Sequence, residues 1–199
     1  MGRTPDEDLK KELSDGQINI LHVGRIAPQK KIEDLIRVFY LFQKRYRSDS
    51  RLILVGTDGG MRNYGRALKQ MAEDLGLTEK IRFAGFATFR QLITYYHQAQ
   101  AYLCLSEHEG FCVPLMESMF FGLPVLAYLT GGIPETLGGS GIGIVEKNWE
   151  EIAELLNLAV SDQAFRETIL AGQKERLKDL GLEANSARLR VLLEPFLEK

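Results

Sequence analysis

This sequence predicts a doubly wound α/β domain with a parallel sheet. Short runs of continuous apolar residues recur along the chain, as in strands buried on both faces. Each run is followed by a loop and then, for most of the chain, by a stretch with helical periodicity. That alternation lays crossover helices over a sheet. No linker, solenoid-period repeat or low-complexity tract interrupts it, so a single such domain is the economical reading.

The elements follow in order. Residues 1–17 are polar and are read as an N-terminal tether or short helix, with the domain proper over 18–199. Thr4-Pro5-Asp6-Glu7 fits a capping box, with Thr4 as N-cap, Pro5 at the first helical position and Glu7 at the third. The segment ends at Ser14-Asp15-Gly16. Apolar runs at 18–23, 51–55, 80–84, 101–105, 124–128 and 142–145 predict a six-stranded, Rossmann-like sheet. Amphipathic stretches at 31–47, 62–75, 88–99 and 114–121 predict the helices between them. From Trp149 onward the chain reads as C-terminal helices, broken near Ser161-Asp162 and Gly181. In such sheets ligands sit outside the carboxyl ends of the strands.

Composition narrows the function classes. The chain has 199 residues, 45% apolar and 26% charged, as in a soluble globular protein. Its net charge is -2 and no basic stripe is present, which argues against a nucleic-acid partner. No apolar run approaches a membrane span. The opening MGRTPDEDLKKEL is too polar for a signal peptide, so a cytoplasmic location is expected. Cys104 and Cys112 are read as packed thiols rather than a disulfide or a metal pair. The three histidines lack metal-ligand spacing, and no metal site is expected.

Three strand ends carry candidate chemistry. After the first strand comes Val23-Gly24-Arg25, with Lys30 five residues beyond Arg25. Gly24 allows close backbone approach, Arg25 can fork onto phosphate oxygens and Lys30 adds a point charge, a pattern that suits a diphosphate. Solvated surface charge is the plain alternative. After the fourth strand comes Ser106-Glu107-His108-Glu109-Gly110-Phe111-Cys112-Val113-Pro114-Leu115-Met116-Glu117. Gly110 is expected to make the sharp turn. A helix begins near Pro114, which has no amide, so the amides of Phe111, Cys112 and Val113 must meet any anion there. Glu109 and Glu117 can accept from sugar hydroxyls; otherwise Glu109 is a turn residue and Glu117 a charge favourable to the helix dipole. After the fifth strand comes Gly131-Gly132-Ile133-Pro134-Glu135-Thr136, a close-approach loop or plain helix-start punctuation. Gly56-Thr57-Asp58-Gly59-Gly60 lacks the dinucleotide fingerprint.

In this order VGRIAPQKK, LILVGTDGG, IRFAGF and SEHEGFCVPLMESMFFGLPVLAYLTGGIPE resemble the C-terminal domain of the group 1, family 4-like glycosyltransferases, the retaining enzymes of GT-B architecture. The resemblance runs from about Ile18 to the terminal helices. Its hallmark is the pair Glu109 and Glu117 followed by GLPV and GGIPE. It implies that Arg25 and Lys30 hold a donor diphosphate and that Glu117 accepts from ribose hydroxyls. It places Glu109 beside the transferred sugar and gives the Gly110, Phe111, Cys112 and Val113 turn the role of meeting sugar and phosphate. Gly24 and Phe86 fall in the donor site, Phe86 where relatives hold the base. Lys31 replaces a glycine common after the lysine, and little effect is expected beyond a stiffer loop.

The resemblance implies a nucleoside diphosphate sugar as partner, no metal or other cofactor, and transfer of a hexose to a hydroxyl with retention. The N-terminal acceptor-binding domain of that architecture is expected to lie outside these 199 residues. The isolated domain is therefore expected to be inactive, and any membrane-surface association would run through the parent enzyme. Two other readings stay open: a stand-alone nucleotide-sugar-binding module or subunit, and half of a sugar-nucleotide epimerase. Leu189, Val191, Leu192, Leu193, Phe196 and Leu197 are expected to lie partly orphaned on a surface that the other domain covers.

Overall fold

The computed structural model describes residues 4–181. Helix α1 (Glu7–Leu13) precedes strand β1 (Ile18–Val23). Then come α2 (Ile32–Arg45), β2 (Ser50–Val55), α3 (Arg62–Asp74), β3 (Ile81–Gly85) and α4 (Phe89–Gln98). The second half holds β4 (Ala101–Cys104), α5 (Val113–Phe120), β5 (Val125–Tyr128), α6 (Ile133–Leu137) and β6 (Ile142–Ile144). Two helices follow, α7 (Trp149–Ser161) and α8 (Gln163–Asp179). The six strands are parallel in the order β3-β2-β1-β4-β5-β6, the doubly wound arrangement whose strand order reverses between β1 and β4.

The four central strands β2, β1, β4 and β5 are buried on both faces, which is why their sequences read as continuous apolar runs rather than alternating ones. Ile18, Ile20, Leu52, Leu54, Ala101, Leu103 and Leu126 face one core, with α2, α3 and α7 packed over it. Leu21, Ile53, Val55, Tyr102, Cys104, Val125 and Ala127 face the other, beneath α1, α4 and α5. Tyr96, Tyr102, Phe39 and Phe42 are among the largest fully buried side chains, and burying each such ring contributes about 2–3 kcal/mol.

Local sequence sets the helix limits. Thr88 and Gln91 form a capping box at the start of α4, Asn148 caps α7 and Asp162 caps α8. At the first helix the structure corrects the expected cap. The N-cap is Asp6, whose carboxylate accepts from the Leu9 amide, and not Thr4. Asp6 wins because its own amide donates to Thr94 on α4 at 2.7 Å, anchoring the helix start to the body. Leu9 and Leu13 of α1 are buried in the second core. Leu189, Val191, Leu192, Leu193, Phe196 and Leu197 lie outside the described residues.

Candidate functional site

The site forms where β1 and β4 end side by side. Gly24 follows β1, and its amide donates to Val55 at 2.9 Å. The close approach expected at Gly24 comes from its neighbour: a Cβ on Gly56 would sit 1.9 Å from the Gly24 carbonyl oxygen. Arg25 is exposed, its side chain stretched past Gly59, where an added Cβ would meet Arg25 Cδ at 3.2 Å. Among the described residues it has no ion-pair partner.

Lys30 closes a short 3-10 turn at Pro28–Lys30. Its Nζ lies 2.6 Å from Glu109 Oε1, with only 18% and 9% of the two side chains exposed. The turn after β4 is held against this loop by the Glu107 amide, which donates to Gln29 at 2.8 Å. Glu107 also pairs with Lys147 at 3.1 Å and Lys31 at 3.2 Å, and these cations, Lys147 foremost, hold its carboxyl below the usual range. The two predicted cations therefore differ. Lys30 is already paired within the protein, whereas Arg25 projects into solvent.

The chain turns at Gly110, as expected. Gly110 is not in a left-handed conformation; Cys112 is, at φ 55°. The chain bends at Gly110 and Phe111, and Cys112 is the left-handed N-cap of α5 that follows the bend. No acceptor among the described residues engages the amides of Phe111, Cys112 or Val113, which is the state required for meeting an anion at a helix start. Phe111 and Val113 are exposed while Cys112 is buried.

The GGIPET segment serves this turn. Gly132 donates to the Glu109 carbonyl at 2.9 Å. A Cβ on Gly131 or Gly132 would sit 2.2 Å from Glu109 O or 2.0 Å from Gly110 O. The Thr136 hydroxyl lies 2.5 Å from Phe111 O and 3.0 Å from Gly132 O, and donates to one of them at a time. The structure thus gives the paired glycines a packing reason and adds Thr136 as a buckle. No sequence signal singled out Thr136 within that motif.

Glu117 lies on the second turn of α5, and its Oε2 accepts from the Tyr96 hydroxyl at 2.6 Å. It borders a groove of about 470 Å³ between α4 and α5, lined with Phe89, Leu92, Phe120 and Phe121. Phe86, 78% exposed, follows the end of β3. His108, also exposed, has no part in these contacts.

Two buried groups adjoin the site. His22 Nδ1 lies 3.0 Å from Leu103 O and so carries the proton, while Nε2 has no partner among the described residues. Burial pushes the imidazole down to about 4, so it is neutral at pH 7. Cys104 and Cys112 are free and buried. Their sulfurs and a Glu109 oxygen lie within 4.8 Å of one another. The donor set does not suit a metal: the Lys30 ammonium already engages the Glu109 carboxylate. The Cys112 thiol, close to Cys104 and buried, is pushed well up and stays protonated.

Comparison with known proteins settles the family. Residues 4–178 match the family described as Glycosyl transferases group 1. The chain belongs to the group 1 glycosyltransferases. An uncharacterised glycosyltransferase of Methanocaldococcus jannaschii is 33% identical over 165 residues, which is 82% of this chain and 41% of that protein. A D-inositol 3-phosphate glycosyltransferase of Thermomonospora curvata is 29% identical over 176 residues, 85% of this chain and 41% of that protein. The chain thus spans about two-fifths of the length of these relatives.

Solved structures agree on the fold of this glycosyltransferase domain. Anabaena HepE in complex with UDP and glucose superposes with a TM-score of 0.80 at 23% identity, covering 94% of this chain and 51% of that one. The C-terminal domain of a group 1 family glycosyl transferase from Francisella tularensis superposes with a TM-score of 0.70 at 23% identity. There the overlap takes in 88% of this chain and 93% of that one. No helix among the described residues is long and apolar enough to cross a membrane.

Proposed function

We propose that this domain binds the nucleoside diphosphate sugar donor of a glycosyltransferase, between the ends of β1 and β4 and the start of α5. The observation that carries this reading is the set of unengaged amides at Phe111, Cys112 and Val113, with Lys30 and Glu109 beside them in the loops that adjoin the turn. Arg25 projects from the loop after β1. Such amides and cations suit the diphosphate. Glu117 takes the ribose hydroxyls, Phe86 flanks the base, and Glu109, steadied by Lys30, faces the transferred sugar. HepE, of the same fold, is described in complex with UDP and glucose.

The chemistry follows from charge. As the sugar–phosphate bond breaks, the departing diphosphate gains negative charge. Fixed donors aimed at that charge lower the barrier more than they stabilise the bound donor. In the parent enzyme a hexose passes to a hydroxyl acceptor with retention at the anomeric carbon. The acceptor is held by a further domain, without which this chain does not turn over. The buried free thiols of Cys104 and Cys112 suit a reducing cytoplasmic compartment.

Calorimetric titration with UDP, GDP, ADP and their sugar conjugates tests the reading, beside Glu117→Ala. Saturable binding of one nucleotide, weakened by the substitution, is the expected result. Equal affinity in the variant would remove Glu117 from the site.

A further inference from the structure

Glu117 is not free to point where it will. The Tyr96 hydroxyl donates to its Oε2 at 2.6 Å. Tyr96 is itself packed in place: it is 1% exposed, and its ring stacks on Phe121 with centroids 5.0 Å apart and planes within 3°. The ring belongs to α4 and the carboxylate to α5, so the bond also ties together the two helices that wall the groove. Burial, aided by the neighbouring carboxylate, pushes the phenol far up, so it remains a proton donor at any working pH. A carboxylate with one oxygen tied to a buried donor presents its other oxygen in one direction.

We infer that Tyr96 is a positioning residue for the donor nucleotide. Its hydroxyl anchors one oxygen of Glu117 so that the other meets the ribose diol, and this sets a preference for ribonucleotides over 2′-deoxyribonucleotides. The inference rests on Glu117 being the ribose acceptor, as proposed above. A hydrogen bond to a charged group is worth roughly tenfold or more in affinity when its geometry is fixed. A carboxylate left to rotate makes the same contact with a conformational cost, and discrimination shrinks.

The test is calorimetric titration of this chain with UDP and 2′-deoxy-UDP, GDP and 2′-deoxy-GDP, and ADP and 2′-deoxy-ADP. The wild type should prefer one ribonucleotide over its deoxy partner by roughly tenfold. Tyr96→Phe keeps the stacked ring and should weaken the ribonucleotide while leaving the deoxy form nearly unchanged, so the ratio falls toward unity. In a Glu117→Ala background Tyr96→Phe should add little, since the carboxylate it aims is gone. A purely structural role would lower both affinities together and leave the ratio intact. A ratio unchanged in Tyr96→Phe, with clear wild-type discrimination, overturns the role of Tyr96 and leaves the donor reading standing. Failure of the wild type to bind any of the six nucleotides overturns both.

Discussion

Lys30 Nζ lies 2.6 Å from Glu109 Oε1, and both side chains are largely withdrawn from water. The pair bridges the loop after β1 to the turn after β4, the two strands at which the sheet order reverses. A charge pair so placed has two duties, holding the turn and meeting a ligand, and they can be separated.

Lys30→Met should destabilise the domain by about 2 kcal/mol, since it leaves a mostly buried carboxylate unpaired. The value lies below that of a fully buried pair because some solvent contact remains. The double variant Lys30→Met/Glu109→Leu should recover most of that loss without recovering nucleotide affinity. Urea unfolding midpoints and titration of the two variants check this; a double variant no more stable than the single one would count against the pairing.

Gly132→Ala should disrupt the turn that carries the amides. Its φ is ordinary at -85°, so the effect comes from the clash of an added Cβ 2.0 Å from Gly110 O. A cost of about 1–3 kcal/mol is expected, as for other forced overpacking, with loss of nucleotide binding. Gly110→Ala has open space around the added atom and should shift stability by no more than about 0.5 kcal/mol. Thermal unfolding of the two variants side by side decides between steric packing and conformational freedom.

Lys31 sits in the left-handed region at φ 50°, where a side chain costs about 1 kcal/mol. Lys31→Gly removes that strain but also the surface pairs to Glu107 at 3.2 Å and Glu33 at 3.8 Å, which are worth little each. The net expectation is a rise in stability of about 0.5 kcal/mol. A fall of similar size would show that the ion pairs dominate.

His22 makes folding sensitive to acid. Its folded value is about 4, below the ordinary 6.5. Between those values the unfolded chain takes up a proton that the folded one refuses. Its stabilising contribution is therefore complete above pH 6.5 and is lost as pH falls toward 4. The shift corresponds to about 3 kcal/mol across that window. Urea unfolding of wild type and His22→Leu at pH 7 and pH 4 should show that extra loss only in the wild type. Parallel pH profiles would place the sensitivity in the carboxylates instead.

Much of this was legible in the sequence. The central strands were readable because burial on both faces leaves continuous apolar runs, and the ends of all six strands moved by no more than a residue or so. The motif residues were readable because each follows a strand. Less legible was what ties them together. Gly110 bends the chain as its sequence position suggests, but the left-handed Cys112 and the contacts of Gly131, Gly132 and Thr136 with Glu109, Gly110 and Phe111 had no local signal. Both Arg25 and Lys30 were readable as cations for a diphosphate, but not that Lys30 is paired to Glu109, 79 residues away.

The sequence by itself determined the doubly wound class, the family and the order of the motif segments, since periodicity and local motifs are properties of neighbouring residues. Only the tertiary structure decided that Tyr96 holds Glu117, that Thr136 buckles the turn and that Asp6 caps the first helix. Each of those contacts joins segments whose approach is set by packing on a shared sheet. A hydrogen bond of 2.6 Å between Tyr96 and Glu117 depends on how α4 and α5 lie on that sheet, which neither helix sequence encodes alone.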